Sequence, residues 1–87
     1  MAKKIYVGNL NFNTTEDSLR DLFAQHGAVL SADIVMDRYT GRSRGFGFVE
    51  MEEATAADAA ITALDGVEFD SRNLRVNEAQ SKQDRRY

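Results

Sequence analysis

The sequence predicts an α+β domain in which two helices cover one face of a four-stranded antiparallel sheet and leave the other face to solvent. Three observations carry this. Hydrophobic periodicity switches between two residues and 3.6 residues in the order β-α-β-β-α-β. Each predicted strand has one apolar side and each helix one apolar stripe, so the economical packing puts both helices on the same side of the sheet. Finally, 87 residues leave room for one core, because a chain this short buries only about 60–65% of its unfolded surface.

Residues 4–8 read as the first strand, with Ile5 and Val7 pointing one way and Tyr6 the other. Residues 9–13, Asn-Leu-Asn-Phe-Asn, form a loop. The first helix follows, with Thr14 or Thr15 as N-cap and Glu16 and Asp17 in its first turn, where carboxylates meet the positive end of the helix dipole. Leu19, Leu22 and Phe23 make its apolar stripe, and Gly27 stops it after His26. A second strand covers residues 29–36, with Leu30, Ala32, Ile34 and Met36 on the core side and Ser31, Asp33 and Val35 opposite.

The polar, glycine-bearing stretch 37–43 turns the chain back as a long hairpin. The third strand runs from Arg44 to about Met51. The second helix spans residues 55–64, with Ala57, Ala60, Ile61 and Leu64 as its stripe, and Asp65-Gly66 ends it. Residues 67–70 are short and ambiguous. The last strand covers residues 74–78, with Leu74 and Val76 inward and Arg75 and Asn77 outward. The domain is thus expected over residues 1–79, followed by a polar, partly basic tail at 80–87.

Composition narrows the function. The chain has no cysteine, which removes disulfides, thiolate zinc sites and thiol nucleophiles, and suits a reducing cytosol. Its N-terminal apolar run is too short for a signal-peptide core or a membrane span. A cytoplasmic protein with no membrane association is the expectation. The net charge of −3 has the wrong sign for a simple nucleic-acid binder. Its distribution matters more than its sum. Seven acidic residues and no Lys or Arg lie between residues 50 and 70. The cations cluster at Lys3 and Lys4, at Arg38, Arg42 and Arg44, and at Arg72, Arg75, Lys82, Arg85 and Arg86. A basic side results if the fold gathers those three segments.

The third strand is decisive. Alternation puts Phe46, Phe48 and Glu50 on one face and Gly47, Val49 and Met51 on the other. Glu50 is a poor core residue, so the two phenylalanines face solvent with it, and the same logic sends Tyr6 outward from the first strand. Large exposed rings in a small domain need a reason. Stacking supplies one: every base has a π-face, and aromatics on a rigid sheet hold unpaired bases at about 1–3 kcal/mol each. Arg44, Arg38, Arg42 and Arg75 are placed to meet the phosphates.

Ile5-Tyr6-Val7-Gly8-Asn9-Leu10 resembles the RNP2 motif of the RNA-recognition motif (RRM) family, and Arg44-Gly45-Phe46-Gly47-Phe48-Val49-Glu50-Met51 resembles its RNP1 motif. Both stand in the family's order, and the chain is most similar to the short single-RRM proteins of bacteria, especially the cyanobacterial kind. The resemblance implies a ferredoxin-like fold with strand order 4-1-3-2. It also implies that Tyr6 and Phe48 each stack on a base, that Phe46 packs against ribose, and that Arg44 pairs with a phosphate. The edge of the last strand, Asn77 through Gln80, would read base edges. Two positions depart from the family pattern. The last RNP1 position is Met51 rather than an aromatic, but it faces the core, so packing changes more than binding. Asp33 faces the binding sheet, where a carboxylate repels phosphate and weakens affinity, or favours a nucleotide that donates to it; modest affinity is the expectation.

Other readings are weaker. The spacing of Gly41, Gly45 and Gly47 fits neither a P-loop nor a dinucleotide loop. His26 is the sole histidine and has no nucleophile or metal-ligand set beside it. The acidic run fits no calcium loop. Catalysis is therefore not expected, nor is a metal, a cofactor or a small-molecule substrate. The main competitor is a protein-interaction module that uses the same aromatic patch. Such a module would more naturally have lost the sheet aromatics, whereas this chain keeps all three. The expected function is a monomer that binds single-stranded RNA, and single-stranded DNA more weakly, in RNA chaperoning or post-transcriptional regulation.

Overall fold

The computed structural model describes residues 2–79. Its elements are β1 (Lys3–Gly8), α1 (Glu16–Ala24), β2 (Val29–Met36), β3 (Ser43–Met51), α2 (Ala54–Leu64), two short strands β4 (Glu68–Phe69) and β5 (Arg72–Asn73), and β6 (Arg75–Glu78). The main sheet is antiparallel with order β2-β3-β1-β6. Counting β6 as the fourth long strand gives the expected 4-1-3-2 order. Ile5, Val7, Val49, Met51 and Val76 point from this sheet into the core, where they meet Leu19 and Phe23 of α1 and Ala57, Ala60 and Leu64 of α2. The alanines bring α2 close to the strands. The fold is the ferredoxin-like βαββαβ sandwich.

Local chemistry explains the element ends. Thr15 is the N-cap of α1: its hydroxyl oxygen accepts from the Ser18 amide at 3.1 Å, while Ser18 Oγ accepts from the Thr15 amide at 3.3 Å. This reciprocal box satisfies two amides that the helix itself leaves unpaired. Thr14 is instead buried, and its hydroxyl donates to Asp70 Oδ2 at 2.7 Å. The helix closes at Ala24, earlier than expected, because the amides of His26 and Gly27 bond back three residues to Phe23 and Ala24 and tighten the last turn.

Residues 67–70, ambiguous in sequence, contribute to a two-stranded hairpin in which Glu68 pairs with Asn73 and Phe69 with Arg72. Asp70 and Ser71 form its turn at φ +53° and +71°, the left-handed pair that matches the twist of a tight hairpin. Asn11 Nδ2 donates to the Asp70 carbonyl at 2.9 Å, and Asn9 Nδ2 to the Asn73 carbonyl at 2.6 Å. The β4–β5 hairpin therefore braces the β1–α1 loop.

One expectation fails in β2. Ala32 and Ile34 are buried, but Leu30 and Met36 are 55% and 54% exposed. The β2–β3 ladder slips at both ends. Val29 and Ser31 face the consecutive residues Met51 and Glu50, leaving Leu30 as an extra residue, and a second shift falls between Ile34 and Met36. Simple alternation from Ala32 is thereby broken in both directions. Val29, not Leu30, packs on the core.

Candidate nucleic-acid interface

The open face of the sheet is an ordered grid set by strand register. Asp33 lies opposite Phe48, Phe48 opposite Tyr6, and Tyr6 opposite Asn77, so one row crosses all four long strands. The next row holds Phe46, Gly8 and Arg75, and the row on the other side holds Ser31, Glu50 and Lys4. Because Ile5, Val7, Val49 and Val76 fill the core, alternation leaves these side chains on the solvent side.

Tyr6, Phe46 and Phe48 form one aromatic cluster. Ring centroids are 5.9 Å apart for Tyr6 with each phenylalanine and 6.2 Å for Phe46 with Phe48, whose planes are perpendicular. The rings are half-buried, not fully exposed, because each shields its neighbours. Tilted and edge-on contacts of this kind contribute about 0.5–1.5 kcal/mol per pair and hold the rings in place without a ligand. Gly8 makes room for the cluster. A Cβ there would lie 2.8 Å from Cε2 of Tyr6, so the bare backbone lets the ring settle over it.

Cations flank the rings. The Arg44 guanidinium lies 5.9 Å from the Phe46 centroid, and Lys4 Nζ lies 5.8 Å from that of Phe48. The sequence reading counted Lys4 only as part of a basic cluster and not as a neighbour of the rings, although it shares strand parity with Tyr6 and that parity would have placed it there. Arg75 and Asn77 are exposed on β6 beside Gly8 and Tyr6. Arg38 and Arg42 lie beyond the end of the sheet and line separate grooves that share Arg44. Gln80 lies outside the described residues.

The predicted basic side is only partly gathered. Lys3 points to the helix side, where Nζ contacts Asp58 at 2.6 Å and Glu78 at 3.5 Å. The hydrogen bond to Asp58 raises its pKa above the ordinary lysine value, burial opposes this, and the charges of Asp58 and Glu78 add to it. Arg72 is also engaged: Nη2 and Nε donate to Asn9 Oδ1 at 2.7 and 3.3 Å. Asp33 and Glu50 face the same side as the rings, as their strand positions predict. The surface is a fixed aromatic platform with cations at its borders and carboxylates within it. Such a platform can stack flat apolar faces while attracting a thin anionic backbone.

Comparisons with known proteins agree with this geometry. A family profile described as the RNA recognition motif matches residues 5–75. The chain is 51% identical over 81 residues to the putative RNA-binding protein RbpE of Nostoc sp., covering 93% of this chain and 82% of that protein. It is 52% identical over 82 residues to glycine-rich RNA-binding protein 1 of Mycosarcoma maydis, covering 94% of this chain and 47% of that longer protein. Among solved structures, RNA binding protein PG1 superposes with a TM-score of 0.89 at 52% identity, covering 92% of this chain and 96% of that one. The Rna15 RRM with bound RNA (GU) superposes at 0.80 and 28% identity, covering 90% and 83%.

Proposed function

The chain belongs to the RNA recognition motif family, and from that premise we propose that it binds single-stranded RNA across the open face of its sheet. Tyr6 and Phe48 stack on one base each, Phe46 packs against the sugars between them, and Arg44 pairs with a phosphate. Lys4 and Arg75 add positive charge at the borders, while Asn77 and Gln80 address base edges. The observation that carries this reading is the cluster of three rings within 6.2 Å of one another on a face that the helices leave open. About 2–4 nucleotides fit such a sheet. Single-stranded DNA, which lacks the 2′-hydroxyl, is the weaker ligand in this reading.

The chain acts by binding rather than turnover, as a cytoplasmic monomer in RNA chaperoning or post-transcriptional regulation. One feature supports the binding role and another the monomer. The open face is a flat platform that presents stacking surfaces. On the outer strand β2, the Ile34 amide donates to Glu16 Oε2 at 3.0 Å, which occupies a donor that a second sheet would need.

Fluorescence anisotropy with short labelled RNAs tests the platform. Phe48→Ala should lose about 1–3 kcal/mol of binding, and Arg42→Ala less, because an exposed charge contributes about 1 kcal/mol or under. Affinity equal to wild type for Phe48→Ala would refute stacking.

A further inference from the structure

We propose that Arg72 is a positioning residue for the aromatic platform: through Asn9 it holds the end of β1 beneath the Tyr6 ring, and it serves RNA binding by geometry rather than by meeting a phosphate. This rests on the sheet face being the RNA platform and names a residue, outside that face, on which its order depends.

The end of β1 is where the strand's alternation breaks. Ile5 and Val7 enter the core, so two-residue periodicity would send Leu10 to the open face with Tyr6 and Gly8. Leu10 is instead 1% exposed. Asn9 makes the change. Its φ of +59° lies in the left-handed region, which asparagine enters more readily than most side chains. The Leu10 amide then donates to the Gly45 carbonyl at 2.8 Å, one position out of step with the Gly8–Phe46 pair, so Asn9 is the extra residue of a bulge. Such a conformation persists when its surroundings over-determine it.

Asn9 is held at both ends of its amide. Nδ2 donates to the Asn73 carbonyl at 2.6 Å, and Oδ1 accepts from Arg72 Nη2 at 2.7 Å and Nε at 3.3 Å. The clamp has a fixed base. Arg72 pairs with Phe69, which packs against the core, and Asn73 Nδ2 donates to the Gly66 carbonyl at 2.9 Å. Gly8 is the residue next to Asn9. It pairs with Phe46 on one side and Arg75 on the other, and a Cβ on it would stand 2.8 Å from Cε2 of Tyr6. Arg72 therefore acts on the seats of two of the three rings through Asn9 and Gly8. Its guanidinium spends two of its donors on a neutral oxygen, and a phosphate would have to displace that oxygen.

Two variants separate geometry from charge. Arg72→Met removes the guanidinium. Asn9→Gly keeps the left-handed backbone accessible, removes the amide and releases Arg72 with its charge intact. Anisotropy is measured with a labelled RNA pool of randomised sequence, about six nucleotides long, across a range of potassium chloride. Each variant should bind roughly threefold to tenfold more weakly, a loss the size of one hydrogen bond. The double variant should bind no more weakly than either single one, because both break the same contact. The salt slope of Arg72→Met should stay at the wild-type value. A phosphate contact predicts the reverse: a slope shallower by about 0.7 for Arg72→Met, and wild-type or tighter binding for Asn9→Gly. That pattern overturns the inference, as do losses that add or that appear in only one variant. Wild-type affinity for both variants with only a lowered thermal midpoint overturns it too, since that marks a clamp for stability alone. Phe48→Ala separates the two readings. If it weakens binding while Arg72→Met and Asn9→Gly do not, only the positioning role fails; if it leaves affinity at wild type, the sheet platform fails.

Discussion

Tyr6 shows how much one backbone position can control. Its ring lies over Gly8, and the nearest atoms to a Cβ at Gly8 all belong to the Tyr6 side chain. Gly8→Ala therefore meets a side chain that can swing away, not a fixed backbone. The expected outcome is a folded protein with an intact thermal transition but RNA affinity several-fold weaker, as Tyr6 leaves its place beside Phe46 and Phe48. Anisotropy and circular dichroism on the same variant check both halves; unchanged affinity would mean that the ring's position is immaterial. Phe46 and Phe48 were legible in the sequence because Glu50 shares their strand parity and marks the solvent side, and Tyr6 because Ile5 and Val7 on either side of it point inward. Lys4 was equally legible by parity with Tyr6. The tie between Asn9 and Arg72 was not, since Asn9 lies in a loop, where no periodicity assigns a direction.

Gly47 makes the contrasting case at the level of strand against strand. A Cβ there would collide with the carbonyl oxygen of Asp33 and stand 3.0 Å from Ile34 Cα, both of them backbone of the neighbouring strand. Backbone in a paired ladder cannot move aside cheaply. Gly47→Ala should cost about 1–3 kcal/mol of stability, as overpacking does, which chemical denaturation would read. A second element-level prediction concerns Lys3, which joins β1 to α2 and the end of β6 through Asp58 and Glu78. Its pKa is raised above 10.5, so its contribution is fully present below the ordinary lysine pKa. That contribution disappears as pH rises through the higher folded value. The difference in urea midpoint between wild type and Lys3→Met should be constant near neutrality and shrink at strongly alkaline pH. A difference that grows there would contradict the assignment. The order of long elements was readable, but the slips in β2 were not, and they misdirected Leu30 and Met36. A bulge leaves the hydrophobic pattern unmarked because it is fixed by pairing with β3.

At the scale of the whole molecule, a net charge of −3 must coexist with attraction for a polyanion. The fold manages this by position. Lys4, Arg44 and Arg75 stand at the rings, Lys3 and Arg72 are spent on internal contacts, and Asp33 and Glu50 remain on the platform. With about three phosphate contacts, the logarithm of affinity should fall with the logarithm of salt at a slope of roughly −2. Titrations across a range of potassium chloride measure it. A much steeper slope would mean that the β2–β3 hairpin cations engage the backbone more fully than the sheet alone requires.

The sequence by itself determined the element order, the helix-facing core and the outward direction of Tyr6, Phe46 and Phe48, because periodicity and burial are local consequences of residue type. Only the tertiary structure decided which side chains become neighbours. Register put Asp33, Phe48, Tyr6 and Asn77 in one row, turned Lys3 toward Asp58, and set Arg72 beside Asn9. Those juxtapositions join residues far apart in the chain, and no local pattern records the pairing that brings them together.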